Sequence, residues 1–398
     1  MVRVNTMKIG SNELIRDINS KLILDTIIKN QPISRASISK ELGLTKATVS
    51  TIVQELINQH LIIEIGCDDT SLGRKPILLS FHKKAGYVIS LDIGVHIISA
   101  LVTDLAAEDC ILKRISTPRS GSTIVTTIGN MISSIQDTLP PSPYGLVSIA
   151  IGIHGITSDN RIHFTPYYDL SDQDLCYELE KCFPIPIHLE NEANLSVIAE
   201  HTFLYDAPNI ANLNIHSGIG VGILMNHQLY TGDTGLAGEF GHMIIALDGR
   251  PCPCGNRGCL EQYLSEQALM NDFAKQKNLP SCTFHEFVQY YQKGDDDATA
   301  ILSQFVKYIV ICINNILNTL NPSIIIINSH FTMQFPWLVE EIKQGLVHKL
   351  TNQIQIVNST LNDTSILLGG ISVGIKDFLN LESLHLLPPS NIFSGYTN

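Results

Sequence analysis

Apolar positions recur at helical spacing over residues 12–31, with Leu14, Ile15, Ile18, Leu22, Ile23 and Ile27 carrying the stripe, and Pro32 stops it. Ser34 is placed to cap a short second helix from Arg35 to Leu42, and Gly43 to supply the tight turn after it. Thr45 caps a third helix, expected to run to about His60, with Val49, Ile52, Val53, Leu56 and Ile57 facing inward. Small Ser39 stands four residues before Gly43 and apolar Val49 six after it, which is helix-turn-helix spacing. The small residue lets the two helices cross closely, and the valine plugs the space between them. The period then switches. Leu61–Ile65 reads as a strand, Gly66–Gly73 as a polar turn and Lys75–Phe81 as a returning strand, the hairpin of a winged version.

From Tyr87 onward the pattern is mostly of strands. Tyr87 to Gly94 is an apolar strand ending in Asp92 and a glycine, followed by a second strand from Ile97 to Thr103. A similar unit returns at Ile210–Ile215, Ser217–Gly222 and Leu224, with a turn at Asn226. Strand, glycine hairpin, strand, twice in one chain, predicts two related lobes facing each other across a cleft. Such hairpins can set backbone N–H groups against phosphates, although each alone also reads as a plain β-turn.

The 398 residues exceed what one core usually supports, so two or three domains are expected. At 44% hydrophobic and 16% charged residues the composition is that of a globular protein. The apolar stretch Ser323–Asn328 is only a buried strand long, and no apolar run approaches the roughly 18–20 residues of a membrane span. The opening MVRVNTMKIG has no apolar export segment. A cytoplasmic protein without a membrane partner is the expectation.

Net charge is −12, but it is unevenly spread. Residues 1–84 hold 12 Lys and Arg against 8 Asp and Glu, whereas the rest holds 14 against 30. A mildly basic head can place its positive face on phosphates while the acidic body stays off DNA. Thr45, Lys46, Thr48 and Ser50 begin the third helix, the end that enters a major groove, and their short polar side chains and one lysine suit base-edge and phosphate contacts. Ser34 and Arg35, at the start of the second helix, join the DNA-binding set, with Arg74 and Lys75 at the hairpin reaching a minor groove or backbone.

The most specific chemistry lies between residues 239 and 261: Glu239-Phe-Gly-His242, then Cys252-Pro-Cys254-Gly-Asn-Arg-Gly-Cys259-Leu-Glu261. Three cysteines within eight residues and a histidine ten before the first supply four ligands for tetrahedral structural zinc. Three cysteines cannot all pair as disulfides within the segment. The other six (Cys67, Cys110, Cys176, Cys182, Cys282, Cys312) are scattered and read as buried or incidental. A last polar cluster, Glu190-Asn191-Glu192-Ala193-Asn194, follows the strand Ile185–Leu189 at the tip where α/β folds bind ligands, or else simply caps a helix.

These segments together are recognisable. ISRASISKELGLTKATVS in the head, SLGRKP in the wing, the LDIG strand, the ENEAN cluster and GLAGEFGHM…GRPCPCGNRGCLE resemble the ROK family (repressors, open reading frames and sugar kinases), and within it the xylose-repressor group. The resemblance covers nearly the whole chain. It implies an α/β protein: an N-terminal winged helix-turn-helix (residues 1–82), a two-lobed actin-like, ribonuclease-H-like domain (83–205 and 206–388) and a short tail (389–398). It implies sugar contacts at Gly155, Asn191, Glu192, Glu239, His242 and Glu261, with Thr165 less securely placed, and zinc ligands at His242, Cys252, Cys254 and Cys259. With His242 tied to zinc at one ring nitrogen, the other is held in a fixed orientation for a ligand.

The departures from the family pattern matter as much. Sugar kinases of the family carry Asn-Asp with the aspartate as base, where this chain has Asn191-Glu192; an extra methylene can misplace the carboxylate by about 1 Å and cost on the order of 10²-fold in a positioned reaction. Their first phosphate loop reads DxGGT, against Asp92-Ile93-Gly94-Val95-His96 here, and their C-terminal glycine cluster is replaced by Ile327-Asn328-Ser329-His330. Only the Ser217–Gly222 loop and Gly369-Gly370 keep the glycines of a nucleotide site. The expected function is therefore a dimeric (or dimer-of-dimers) repressor of palindromic operator DNA, released by a small sugar, D-xylose first, with no nucleotide and no catalytic residue. The rivals are an ATP-dependent sugar kinase with a regulatory head and a constitutive architectural DNA binder.

Overall fold

The computed structural model describes residues 12–67, 76–168, 170, 174–347 and 354–389. The head comprises α1 (Asn12–Asn30), β1 (Ile33–Ser34), α2 (Arg35–Leu42), α3 (Lys46–Asn58), β2 (Ile62–Cys67) and β3 (Ile77–Phe81). Its boundaries are set by local chemistry. The Ser34 hydroxyl accepts from Ser37 N–H at 3.2 Å, Thr45 accepts from Thr48 N–H at 3.1 Å, and Gly43 closes α2 in the left-handed region at φ 66°. Ile38 and Val49 are fully buried between the helices, and the Ser39 hydroxyl donates to the Leu44 carbonyl across the turn at 2.7 Å. The hairpin pairs with β1 in the order β1-β3-β2; its tip, with Arg74 and Lys75, lies outside the described residues. The stripe of α1 is only half used: Ile23, Leu24, Ile27 and Ile28 are buried, whereas Ile15, Ile18 and Leu22 stay exposed.

The body begins with β4 (Tyr87–Ile93), β5 (Ile97–Asp104), β6 (Ile111–Ser116), α4 (Gly121–Gln136), β7 (Leu146–Ile153), β8 (Ile156–Ser158), β9 (Arg161–Phe164), α5 (Leu175–Glu180), β10 (Ile187–Asn191) and α6 (Glu192–Phe203). It continues through β11 (Ile210–Ile215), β12 (Ile219–Met225), β13 (Gln228–Leu229), α7 (Glu261–Leu264), α8 (Glu266–Gln276), α9 (Phe284–Gln292), α10 (Asp296–Leu320), β14 (Ile324–Ser329), α11 (His330–Gln334), α12 (Leu338–Gly345), β15 (Gln355–Asn358) and α13 (Ser365–Phe378). Its two large sheets run β10-β7-β4-β5-β6 and β13-β12-β11-β14-β15. In each, the first strand is central, two antiparallel strands follow on one side and two parallel strands lie on the other. The repeat expected from the two hairpins is thus a duplicated ribonuclease-H-like sheet.

Chain order does not describe how the two lobes are packed. α6 precedes the second sheet but lies on β11 and β12, while α13, at the far end of the chain, returns to cover β4 and β7 of the first. α6 is packed tightly on both sides: a Cβ on Gly369 of α13 would overlap the Leu195 carbonyl, and one on Gly222 of β12 the Ala193 carbonyl. Gly369-Gly370 is therefore packing, not a remnant of a nucleotide loop. Residues 365–378 belong by contact to the first lobe, against the expected division at 205/206. A polar seam joins the crossing to the second sheet, with the Ser196 hydroxyl 2.8 Å from Ser365 Oγ and 3.1 Å from Asn214 Oδ1.

The head is welded to the body. One continuous core contains Ile27, Leu56 and Phe81 of the head together with Phe203, Ile375, Leu381 and Leu384. Tyr144 adds a hydrogen bond from its hydroxyl to the Gln59 carbonyl at 2.6 Å. α10 corrects one reading of the sequence: among the described residues it is a helix long and apolar enough to cross a bilayer by length and composition. Ser303, Gln304 and Lys307 interrupt its apolar run but not the mean. In the fold, Ile301, Phe305, Ile309 and Ile313 bury it in the core of the second lobe.

Candidate functional site

A cleft of about 650 Å³ opens between the lobes, and Gly155, Asn191, Glu192, Glu239, His242 and Glu261 all line it. They arrive from separate elements. Asn191 ends β10 and caps α6 with no turn between, its Oδ1 accepting from Ala193 and Asn194 N–H at 2.7 and 3.3 Å. Its Nδ2 donates to the Gly155 carbonyl at 2.7 Å and to Glu192 Oε2 at 2.9 Å. All four hydrogen-bonding positions of the amide are thereby filled. In this arrangement the Asn191 amide aims Glu192, and the Thr165 hydroxyl donates to the Tyr168 carbonyl.

Burial pushes the Glu192 carboxyl up to about 7, opposed by the charge of His154 and reinforced by Glu239. Glu239 is likewise raised, first by burial, while His242 pulls it back. Glu261 accepts from Ile219 N–H at 3.1 Å, which ties it to the second glycine hairpin and leaves its other oxygen for the cleft. Three carboxylates thus converge on one space, beside the apolar side chains of Ile156, Phe164 and Leu236.

Sequence reasoning missed His154. Its Nε2 lies 2.9 Å from Asp92 Oδ1. Burial opposes its charged form, but Asp92, by charge and hydrogen bond, and Glu192 outweigh that and push it up to about 9. The pair spans β4 and the loop after β7, two segments with no signal relating them in the sequence. Asp92, expected at a phosphate loop, is committed to a histidine.

The four expected metal ligands do meet. His242 Nδ1 is 3.6 Å from Cys252 Sγ, Cys254 and Cys259 sulfurs are 3.7 Å apart, and all four donor atoms lie within 4.8 Å of one another. Tight turns make this possible: Gly255 and Gly258 take φ 96° and 80°, and a Cβ at Gly258 would overlap the Ala246 carbonyl. The other His242 nitrogen, Nε2, faces Glu239 at 3.8 Å. One imidazole therefore belongs to both the metal cluster and the cleft.

A neighbouring cleft of about 730 Å³ is lined by Val95, His96, Ser217, Glu266 and Phe284. At its edge His330 bridges Glu266 at 2.7 Å and Asp363 at 3.3 Å. The hydrogen bonds that His330 donates to Asp363 and Glu266 push it up to about 10. The segment after the apolar strand β14 thus carries a charged bridge.

In the head, Thr45, Lys46 and Ser50 are exposed along the start of α3, with Thr48 half-buried beside them. Ser34 is buried and its hydroxyl serves the α2 cap, 2.9 Å from Ser37 Oγ, which removes it from the surface set. Arg35 is paired with Glu64 at 2.8 Å, so any DNA contact it makes must displace that carboxylate.

The ROK family model matches residues 88–376, and a winged helix-turn-helix DNA-binding model matches residues 16–63. The chain belongs to the ROK family. This ROK chain is 35% identical over 388 residues to the xylose repressor of Bacillus subtilis (strain 168), covering 95% of itself and 100% of that protein. Its fold matches a crystal structure of a ROK family transcriptional regulator, described as a homologue of the Escherichia coli MLC protein, at TM-score 0.78 and 25% identity, over 92% of this chain and 98% of that one. A ROK glucokinase from Streptomyces griseus, in complex with glucose and AMPPNP, matches at TM-score 0.64 and 22% identity, over 72% of this chain and 99% of that one. The two-lobed body is thus common to regulators and kinases, and the winged head lies outside the part matching the ROK model.

Proposed function

We propose that this ROK protein is a cytoplasmic transcriptional repressor whose hold on palindromic operator DNA is relieved by D-xylose. The observation that carries the reading is the convergence of Glu192, Glu239, His242 and Glu261 in one interlobe cleft of a chain that begins with a winged helix-turn-helix. An ionised carboxylate can only accept hydrogen bonds, and a sugar hydroxyl can donate to it. A site with three carboxyl groups, of which Glu192 and Glu239 are raised by burial, can accept from and, where protonated, donate to the hydroxyls of a neutral polyol. A site built for a given hydroxyl also rejects analogues lacking it, because its own polar groups are then left unpaired. The choice of xylose rests on the likeness to the Bacillus repressor.

The four-ligand cluster fits zinc. Bonds of about 2.3 Å to sulfur and 2.0–2.1 Å to nitrogen set tetrahedral ligands roughly 3.5–3.8 Å apart, which brackets the 3.6 and 3.7 Å observed. Zinc there would brace the loop that carries Glu239, His242 and Glu261. Binding would then proceed through this chain's own groups: Asn191 holds Glu192 in place, Glu261 accepts from a sugar hydroxyl, and His242 offers the nitrogen that faces away from the metal.

Sugar bridging Glu192 on one lobe and Glu239, His242 and Glu261 on the other favours a closed cleft. The core shared by α1, α3, α13 and the C-terminal segment carries that motion to the head. In a homodimer, or a dimer of dimers, a change in the spacing of two heads weakens a grip that needs both half-sites. A hundredfold loss of operator affinity requires about 2.7 kcal/mol of differential binding, within reach of a few charge-assisted hydrogen bonds. In the head, the DNA-facing set is Thr45, Lys46, Thr48 and Ser50, with Arg35, Arg74 and Lys75 in support. Catalysis is disfavoured because Asp92, in the segment resembling the kinases' first phosphate loop, is paired with His154, and because His330, in the segment that departs from their C-terminal glycine cluster, bridges Glu266 and Asp363.

The test is an operator-shift titration of the full chain with xylose and glucose, run beside a coupled assay of ADP release. Release of DNA by xylose without ADP production is the expected result. Unchanged DNA affinity at saturating sugar rejects induction, and sustained ADP release promotes the kinase.

A further inference from the structure

We propose that His201, Asp206 and His227, whose donor atoms lie within 4.8 Å of one another, form a second metal site, with His385 beside Asp206, separate from the cysteine cluster and suited to a divalent transition ion of the zinc, cobalt or nickel type. The four residues come from four segments: the last turns of α6, the loop after it, the β12–β13 turn and the C-terminal segment. His201 Nε2 and His227 Nδ1 are 3.1 Å apart. Asp206 Oδ1 lies 3.9 Å from His227 Nδ1 and 3.8 Å from His385 Nε2. The His385 ring centroid is 5.3 Å from that of His201. A tetrahedral ion with nitrogen and oxygen ligands at about 2.0–2.2 Å sets its donors roughly 3.3–3.6 Å apart. The observed separations bracket that value, and two of the three are too long for a direct hydrogen bond. Hydrogen bonding alone therefore accounts for the His201–His227 contact but not for the gathering of Asp206 and His385 around it.

A second observation points the same way. Asn226 and His227 take φ of 53° and 62°, the two-residue turn in which the second position ordinarily goes to glycine. Histidine stands there in place of glycine, and the turn holds its imidazole against His201. Imidazoles with one carboxylate suit zinc, cobalt, nickel or copper and not magnesium or calcium, which prefer all-oxygen shells. The wall of the adjoining cleft sets Asp377 and Glu382 against the one opposing cation, Lys376.

An ion here would clamp the β12–β13 turn of the second lobe and the end of α6 to the C-terminal segment. That segment is already joined to α6 by Leu386 N–H on the Thr202 carbonyl at 3.0 Å, and its Leu381 and Leu384 enter the core shared with the head. Occupancy would stiffen the path between the lobes and the DNA-binding domain. The inference stands whatever sugar the other cleft takes.

The experiment uses the full chain, freed of any polyhistidine tag, titrated with Zn²⁺ and Co²⁺. The wild type is expected to hold two equivalents. Cys254→Ser should weaken one of them, and His227→Ala and Asp206→Ala should each weaken the other at least tenfold; both residues of the latter pair are solvent-accessible, so these variants should fold. Cobalt in the histidine site should give d–d absorption without the thiolate charge-transfer band that marks the cysteine cluster. A wild type that binds a single equivalent, lost in Cys254→Ser, overturns the proposal. So does retention of two equivalents at unchanged affinity by His227→Ala and Asp206→Ala.

Discussion

His154 Nε2 sits 2.9 Å from Asp92 Oδ1, joining the end of the first strand of the body to the loop that opens onto the interlobe cleft. Because the folded state raises His154 from 6.5 to about 9, its contribution to stability is complete below about pH 6.5 and is lost as pH climbs through 9. Replacing Asp92 by Asn removes the partner. The gap in Tm between wild type and Asp92→Asn should be widest at pH 6.5 and below and should narrow as pH passes 9. Thermal melts at pH 6, 7.5 and 9.5 check this; a gap of constant width would deny the pair its charge.

Glu192 is the carboxylate that Asn191 aims, at 2.9 Å, into the cleft. Glu192→Gln should weaken xylose binding roughly 10- to 100-fold, the worth of a hydrogen bond to a charged group, while sugar-free operator binding is kept. Asn191→Ala should show a similar loss and also a fall of about 1 kcal/mol in stability, since it removes the α6 cap. Calorimetry with xylose and denaturant melts separate the two effects.

His242 serves the cysteine cluster through Nδ1 and faces Glu239 through Nε2. Cys254→Ser, or prolonged chelation, should therefore lower Tm and sugar affinity together. Metal analysis with parallel calorimetry tests the coupling: loss of metal with unaltered xylose affinity would detach the cluster from the site.

Lys46 is exposed at the first turn of α3, within the proposed DNA-facing set. Lys46→Ala should weaken operator and non-specific DNA alike and reduce the slope of log affinity against log salt by about 1. Ser34→Ala, by contrast, should act through the α2 cap, costing about 0.5–2 kcal/mol of head stability with that salt slope unchanged.

Gly369 is the contact point between α13 and the Leu195 carbonyl of α6. Gly369→Val should destabilise by at least about 1–3 kcal/mol through overpacking. If the crossing also transmits sugar occupancy, induction should fall further than stability alone dictates. Operator release measured well below the melting temperature distinguishes the two.

Much of the head was legible because its signals are local. Ser34, Gly43 and Thr45 act on backbone groups within three or four residues, and Val49 is buried by a helical period that can be counted. The gathering of His242 with Cys252, Cys254 and Cys259 was legible for the same reason: three sulfurs within eight residues and two glycines free to turn. The duplicated lobes showed through because each repeats one strand–hairpin–strand pattern, and the sheet order followed.

Elsewhere, the assembled fold decided. α6 and α13 exchange lobes, so Gly369-Gly370, which resembles a phosphate loop in one dimension, is a helix crossing in three. Asp92 and His154, or the four segments around His201, carry no shared period or spacing; only the stacking of two sheets and the return of the C-terminal segment bring them within reach. Caps, turns and periodicity depend on neighbours along the chain, whose geometry the covalent backbone restricts. Contacts between distant segments depend on how whole layers pack, and that arrangement is chosen by the burial of all the faces at once.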